Sequence, residues 1–192
     1  VGGETTTNPG GIFISVALTG WVPRGKGVLR SGAEAGDAIF VTGELGGSLA
    51  GTHLEFEPRL AEARWLVERF RVHAMIDLSD GLAGDLRHIM KASGVGAELL
   101  KTAIPVSRAA KEISKRGDAA KPPLAAALTD GEDFELLLAV APEEAERMLA
   151  ERPVDVPLTI IGEVTAARES LLLTRDGRHE PLLPGGWEHM VR

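Results

Sequence analysis

Short apolar segments with strand character alternate with amphipathic segments along most of the chain, and this alternation constrains the fold more than any other feature. The pattern predicts strands at 37–42, 74–78, 97–104, 134–140, 158–164 and 171–174. It predicts helices between them, at 58–70, 80–93, 107–116 and 142–152. Such an order is typical of a layered α/β domain in which helices cover a sheet.

Two of the predicted helices have a clear apolar face. Helix 58–70 aligns Leu60, Ala63, Leu66, Val67 and Phe70, and helix 80–93 aligns Leu82, Leu86, Ile89 and Met90. Because residues at this spacing share one side of a helix, we expect both stripes to pack in the core rather than contact a cofactor.

The amino-terminal part of the sequence differs from the rest. Residues 12–18 are almost continuously apolar and β-branched, which predicts a buried strand, and the Gly- and Pro-containing stretch 20–27 predicts a linker. We therefore expect a domain boundary near residue 25. The first residue is Val, and the Gly-Gly-Glu-Thr-Thr that follows has the character of a loop interior, so we expect a truncated chain.

Composition excludes several classes of protein. The chain of 192 residues has no apolar run near the roughly 20 residues that a membrane span needs and no signal-peptide pattern, so we expect a cytoplasmic protein without a membrane partner. A formal net charge of −7 argues against a nucleic-acid partner. The absence of cysteine means that oxygen or imidazole ligands must hold any metal.

Chemistry-bearing residues concentrate where the strand at 74–78 runs into the helix at 80–93. The segment Ile-Asp-Leu-Ser-Asp-Gly-Leu (76–82) places Asp77, Ser79 and Asp80 at this junction. Helix amino termini favour phosphate oxygens, and paired carboxylates can hold a divalent cation that bridges to the phosphate. The alternative is that Ser79 or Asp80 merely caps the helix. Local chemistry leaves these two interpretations evenly balanced.

Three further segments carry weaker signals. Four acidic residues crowd positions 130–135, which suits either a bound cation or a solvated loop. The loop around Gly3 and Glu4 offers backbone N–H groups, a carboxylate and hydroxyls to a phosphate or its metal. Arg30 could bind phosphate oxygens or lie on the surface, and Trp187 could stack on a ring or anchor the chain end.

Taken together, the motifs resemble those of the thiamine-monophosphate kinase family, within the aminoimidazole ribonucleotide synthetase-like superfamily. The resemblance spans essentially the whole chain, and its six motifs are Gly-Gly-Glu-Thr-Thr (2–6), Leu-Arg-Ser-Gly-Ala (29–33), Phe-Val-Thr-Gly (40–43), Ile-Asp-Leu-Ser-Asp-Gly-Leu (76–82), Gly-Glu-Asp-Phe-Glu-Leu-Leu (131–137) and Gly-Trp-Glu-His (186–189). The fourth and fifth are the most specific. The resemblance implies the carboxy-terminal domain of this fold, a layered mixed sheet with helices, at 25–192. Residues 1–24 would be the end of an amino-terminal ATP-binding domain.

The resemblance also implies a reaction, in which the γ-phosphoryl group of ATP passes directly to thiamine monophosphate with Mg²⁺ present. It assigns Gly3, Glu4, Arg30 and Ser79 to the nucleotide, Glu4, Asp77 and Asp80 to magnesium, and Glu132 and Trp187 to the thiamine substrate. No side chain is implied as a general base or a covalent nucleophile. The intact protein is expected to be a homodimer, and the chain alone to be inactive because the amino-terminal domain supplies part of the site.

The sequence departs from the family pattern at Glu4, where Asp is usual, at Asp130, where Gly is usual, and at Met190, where an aromatic residue is usual. The change at Asp130 puts the local turn in doubt. Two other functions stay open: an ATP-dependent enzyme of the same superfamily with a different small acceptor, and a non-catalytic interaction module that offers residues 12–18 to a partner.

Overall fold

The structure, a computed structural model, describes residues 10–11, 16–117, 121–151, 156–183 and 185–186. Within these residues, seven strands form one sheet and five α-helices pack around it. In chain order the elements are β1 (Ala38–Thr42), α1 (Leu60–Arg69), β2 (Val72–Asp77), α2 (Leu82–Ser93), β3 (Gly96–Leu100), α3 (Arg108–Ile113), α4 (Pro123–Thr129), β4 (Leu136–Val140), α5 (Pro142–Glu151), β5 (Leu158–Thr165), β6 (Ser170–Leu173) and β7 (His179–Pro181). Short 3₁₀ turns lie at Ser48–Ala50, Thr52–Leu54 and Ser114–Arg116.

The sheet is mixed, and the predicted α/β class is confirmed. Its strand order is β2-β4-β1-β5-β3-β6-β7, and every neighbouring pair is antiparallel except β3 and β6. β2 is therefore an edge strand. On its open side the Met75 amide donates to the Leu29 carbonyl oxygen at 3.0 Å, so residues 28–30 run beside this edge.

Both faces of the sheet are buried, which explains why its central strands are continuously apolar. In β1, Ile39 and Val41 face one core cluster, whereas Phe40 faces the other. The alternation repeats in β4, where Leu137 and Leu138 point to opposite clusters. Helix α2 belongs to the first cluster, and α1 and α5 belong to the second.

The apolar stripes on the helices are confirmed for α2 but only in part for α1. All four predicted residues of α2, from Leu82 to Met90, are buried. In the helix predicted at 58–70, Leu66 and Phe70 are buried, but Leu60 is 74% exposed and Val67 is 37% exposed. Leu60 is the first residue of the helix, and the second core cluster is contacted by the later turns.

Other differences from the predicted elements have local causes. The strand predicted at 97–104 ends at Leu100, where a turn closes with the Ala103 amide donating to the Leu100 carbonyl oxygen at 2.8 Å. Helix α4 and strand β7 were not predicted. The strand predicted at 12–18 is wrong for Val16 to Leu18, which are irregular and exposed because no described strand pairs with them; residues 12–15 lie outside the described residues.

No helix in the described ranges is both long enough and apolar enough to cross a bilayer.

Candidate functional site

At the junction between β2 and α2, one apolar side chain points into the core and the polar side chains lie at or near the surface. Leu78 is fully buried and its amide donates to the Glu135 carbonyl oxygen at 2.8 Å, which extends the pairing with the chain before β4. Asp77 is exposed, and Ser79 and Asp80 are half-buried. Gly81 precedes α2 with a φ of 104°, a conformation that favours glycine. The junction therefore presents three polar side chains around one buried anchor.

Asp85, in the first turn of α2, holds the start of this helix. Its Oδ2 accepts the backbone N–H of Asp80 at 3.0 Å and of Gly81 at 3.1 Å. Neither Ser79 nor Asp80 caps α2, so the capping alternative is wrong: the helix follows Gly81, and no side chain caps it from that position. Instead a buried carboxylate reaches back from within the helix to satisfy two free amides.

Burial has an electrostatic consequence at Asp85. The pKa of its carboxyl is raised to about 7, mainly because burial penalises the charged form. The nearby charges of Asp80 and Asp77 raise the pKa further, whereas the two backbone N–H bonds lower it. Asp77, Asp80 and Asp85 therefore form one region of negative potential, in which a cation would be stabilised.

A cleft of about 320 Å³ opens over this junction. It is lined by Arg30, Met75, Ile76, Asp77, Ser79, Asp80, Asp85 and His88. Four residues that were predicted from the sequence, Arg30, Ser79, Asp77 and Asp80, are thus brought together although almost 50 positions separate the first from the others. Arg30 contributes positive charge to a cleft that is otherwise rich in carboxylates.

The position of Arg30 depends on α2 as well as on β2. At the end of α2, Ser93 Oγ accepts the N–H of Gly32 at 3.2 Å and of Ala33 at 3.1 Å. Gly32 has a φ of 119°, and a Cβ there would lie 2.7 Å from the His73 carbonyl oxygen, so only glycine fits. These contacts hold the segment that carries Arg30 against the sheet edge.

One cation within the cleft could be bound by three side chains, those of Asp80, Asp85 and His88. Their ligand atoms all lie within 4.8 Å of one another, and His88 Nε2 is 3.8 Å from Asp80 Oδ2. Asp77 lines the same cleft without belonging to this group of three. Mg²⁺ binds through one or two carboxylates and keeps several waters, so the half-exposed carboxylates at this junction fit it.

Asp85 and His88 were not among the residues predicted from the sequence. Both lie on α2, where a spacing of three residues places them on the same side of the helix. The signal was therefore present in the sequence, but the helix had been interpreted only through its apolar stripe. Neither residue occurs in the two segments that carry the metal prediction, the loop around Glu4 and the segment 76–82.

The acidic segment 130–135 has a different character, because most of its carboxylates have partners within the chain. Asp130 pairs with Lys121, and Asp133 accepts N–H bonds from Gly46 at 2.9 Å and Gly47 at 3.2 Å. Glu135 accepts the Thr42 hydroxyl at 2.6 Å and two Arg59 N–H bonds at 2.8 and 2.7 Å. Burial raises the pKa of Asp133 to about 6, against the lowering effect of its N–H bonds.

Glu132 is the exposed member of this segment. Its side chain is not among those that line the cleft, but its amide donates to the carbonyl oxygen of Ser79, a cleft residue, at 2.8 Å. The doubt about the turn at Asp130 is resolved, since that residue has an ordinary φ of −81° and the left-handed positions are Glu132 and Phe134.

Three predicted site residues, Gly3, Glu4 and Trp187, lie outside the described residues. The chain just before Trp187 does reach the junction: a Cβ on Gly186 would lie 2.3 Å from the Asp80 carbonyl oxygen. Gly186 also has a φ of 105°. The described carboxy-terminal residues therefore pack directly on the backbone of the predicted metal site.

A sheet of this kind with a carboxylate-lined strand-to-helix junction defines a recognisable class of protein. Residues 52–173 match the family model described as "AIR synthase related protein, C-terminal domain", and the chain belongs to this family. Within it, the chain is similar to the thiamine-monophosphate kinase of Rhodopirellula baltica, with 42% identity over 188 residues that cover 98% of this chain and 58% of the relative. The resemblance inferred from the motifs is thereby confirmed.

Solved structures agree with this placement. AaThiL complexed with AMPPCP and TMP has a TM-score of 0.65 and 30% identity, and the match covers 85% of this chain and 54% of that one. Escherichia coli HypE has a TM-score of 0.70 over 88% of this chain and 56% of its own, but at 23% identity it shows the fold alone. The chain spans between half and two thirds of the length of these proteins.

Proposed function

We propose that the protein to which this chain belongs is a thiamine-monophosphate kinase, which transfers the γ-phosphoryl group of ATP to thiamine monophosphate and yields thiamine diphosphate and ADP. The observation that carries the proposal is the cleft at the β2–α2 junction, where Arg30 and Ser79 share one space with Asp77 and Asp80. Similarity to curated thiamine-monophosphate kinases over 98% of the chain supports the choice of reaction.

The chemistry of the cleft suits phosphoryl transfer between two phosphates. An oxygen of the acceptor phosphate attacks the γ-phosphorus of ATP, a new P–O bond forms, and the bond to the β,γ-bridging oxygen breaks as ADP leaves. The acceptor oxygen is already a nucleophile, so no side chain has to remove a proton. The protein has to align the two phosphates and offset their charge.

Each residue of the junction has a role in that task. Asp77 and Asp80 would hold magnesium, together with Glu4, and the ligand atoms of Asp85 and His88 lie close to those of Asp80. When bound, magnesium would neutralise charge on the phosphate oxygens and fix their geometry.

Arg30 and Ser79 would bind the nucleotide phosphates with Gly3 and Glu4, and Glu132 and Trp187 would bind the thiamine part of the acceptor.

The intact protein would contain a second domain before the one described above. We infer that residues 1–24 end a preceding ATP-binding domain and that 25–192 form the domain described above. The apolar side chains of Val16, Leu18 and Trp21 are at least 76% exposed in the described chain, which supports a packing partner for this segment. We further infer a cytoplasmic homodimer, on the basis of the family resemblance.

The test is an assay of the full-length natural protein with ATP, Mg²⁺ and thiamine monophosphate. Thiamine diphosphate should form, and Asp77→Asn and Asp80→Asn should each reduce kcat/KM by on the order of 100-fold. Glu146→Gln on the outer side of α5 is the matched control, since Glu146 is exposed and lies outside the cleft. Unchanged rates in both Asn variants would show that the metal assignment is wrong, and turnover with a different acceptor would replace the proposed substrate.

A further inference from the structure

The segment before β4 contains two residues whose backbone conformation is unfavourable. Glu132 has a φ of 62° and Phe134 has a φ of 52°, both in the left-handed region that non-glycine residues seldom adopt. Such conformations persist only where the surroundings fix them from several sides, and they concentrate at functional positions. The question is which contacts fix Glu132.

One set of contacts comes from the junction itself. The Glu132 amide donates to the Ser79 carbonyl oxygen at 2.8 Å, and the Phe134 amide donates to the Leu78 carbonyl oxygen at 2.9 Å. Gly131 lies so close that a Cβ there would be 2.3 Å from the same Ser79 oxygen. The strained turn and the cleft edge are therefore one backbone unit.

The second set comes from Asp133, which lies between the two left-handed residues. Both of its carboxylate oxygens accept the Gly46 N–H at 2.9 Å, and Oδ1 also accepts the Gly47 N–H at 3.2 Å. Gly46 has a φ of 81°, and a Cβ on it would lie 2.7 Å from the Ala127 amide nitrogen, so this donor site is itself fixed in place. Asp133 thereby ties the turn to the loop that follows β1.

We propose that Asp133 is the positioning residue for Glu132: by accepting the Gly46 and Gly47 amides it holds the strained turn in which the Glu132 backbone is bonded to Ser79 at the edge of the cleft. The proposal rests on the proposed function, in which Glu132 binds the thiamine part of the acceptor. Asp133 itself is engaged with backbone donors and does not line the cleft. Its effect should therefore be confined to the affinity for the acceptor.

The experiment measures steady-state kinetics of the full-length enzyme and its Asp133→Ala, Asp133→Asn and Glu132→Gln variants. Asp133→Ala should raise KM for thiamine monophosphate about tenfold, the scale of a lost charged hydrogen bond, and leave KM for ATP unchanged. Asp133→Asn should recover most of the loss, because one amide oxygen can accept both glycine N–H groups. The double variant Glu132→Gln/Asp133→Ala should be no worse than Glu132→Gln alone.

A second measurement does not depend on the identity of the acceptor. Amide hydrogen exchange in Asp133→Ala should become faster at Glu132 and Phe134 than in the wild-type protein, with β1 and β4 unaffected. Equal rises in KM for both substrates, or additive losses in the double variant, would overturn the positioning role. Unchanged exchange at Glu132 would overturn it as well, even if the wild-type protein does not use thiamine monophosphate, a result that would count separately against the proposed function.

Discussion

Two acidic regions of this molecule are equally conspicuous in the sequence, but their carboxylates differ in whether they line an open cleft or bind partners within the chain. At the junction of β2 and α2, Asp77 and Asp80 open into a cleft, and Asp80 Oδ2 lies 3.8 Å from His88 Nε2, which lines the same cleft. In the segment 130–135, Glu135 and Asp133 are satisfied by Arg59 and by backbone amides. Acidic density alone therefore does not identify a cation site; what distinguishes the junction is that its carboxylates line an open cleft, whereas Glu135 and Asp133 are engaged by an arginine and by backbone amides.

The largest effect is expected when a buried carboxylate of the segment 130–135 loses its arginine partner. Arg59→Met should destabilise the protein by about 3–5 kcal/mol, because Glu135 is 6% exposed and would be left charged and unpaired in the interior. Denaturant unfolding measures the change. Lys115→Met is the matched control, since it breaks the ion pair with Glu112 at the surface and should have no measurable effect. A loss for Arg59→Met as small as the control's would mean that Glu135 does not depend on its partner.

A second prediction concerns the pH dependence of stability at Asp133. Its pKa of about 6 in the folded protein lies above the ordinary 3.8, so the folded state binds more protons than the unfolded state between these values. Stability from this group is full below the unfolded pKa of 3.8 and is lost as the pH rises through 6. The difference in free energy of unfolding between wild type and Asp133→Asn should therefore shift by about 2 kcal/mol against wild type from pH 4 to 7.

Urea unfolding at a series of pH values measures this difference, and the other ionisable groups cancel because both proteins contain them. Parallel curves for wild type and Asp133→Asn would contradict the prediction. They would mean that the three amide bonds from Gly46 and Gly47 offset the cost of burial, so that the carboxylate is charged at little cost.

The two regions also show how far sequence can predict such a site. The alternation of apolar segments was sufficient for the α/β class and for most elements, because burial on both faces leaves a continuous apolar signal in β1 and β4. Asp77, Ser79 and Asp80 could be found because they lie where an apolar strand ends. Helix α4 was not found, since its alanine-rich sequence has little periodicity.

What sequence could not supply is the set of long-range partners. Arg59 and Glu135 are separated by 76 positions, and Gly46 and Asp133 by 87. No local pattern indicates that Asp133 would accept amides from a loop after β1, or that Asp85 would turn back to Asp80. Local composition treats the four acidic residues at 130–135 alike, and only the fold shows that Glu132 is exposed whereas Asp130 and Glu135 are buried.

A third prediction is that a substitution at the junction leaves the free energy of unfolding unchanged or raises it, unlike the loss expected for Arg59→Met. At the junction, Asp80→Asn should not destabilise the protein without metal, because it removes a charge that repels Asp85. Magnesium at about 100 times its dissociation constant should stabilise the wild-type protein by about 2.7 kcal/mol and Asp80→Asn much less. Thermal unfolding with and without Mg²⁺ measures both effects, and Glu146→Gln should respond as wild type does. If Mg²⁺ stabilises Asp80→Asn as much as it stabilises the wild-type protein, Asp80 is not a ligand of the cation.

The smallest effect is expected at Glu132, where the two regions meet. Glu132→Gly should relieve the left-handed backbone at φ 62° and raise the free energy of unfolding by about 0.5 kcal/mol, the left-handed penalty less the entropy that glycine adds to the unfolded chain. Glu146→Gly is the matched control, because the same substitution within α5 should cost about 1 kcal/mol. If Glu132→Gly is instead as costly as the control, the turn is not strained at this residue. A gain in stability would show that the fold does not require the left-handed conformation at Glu132.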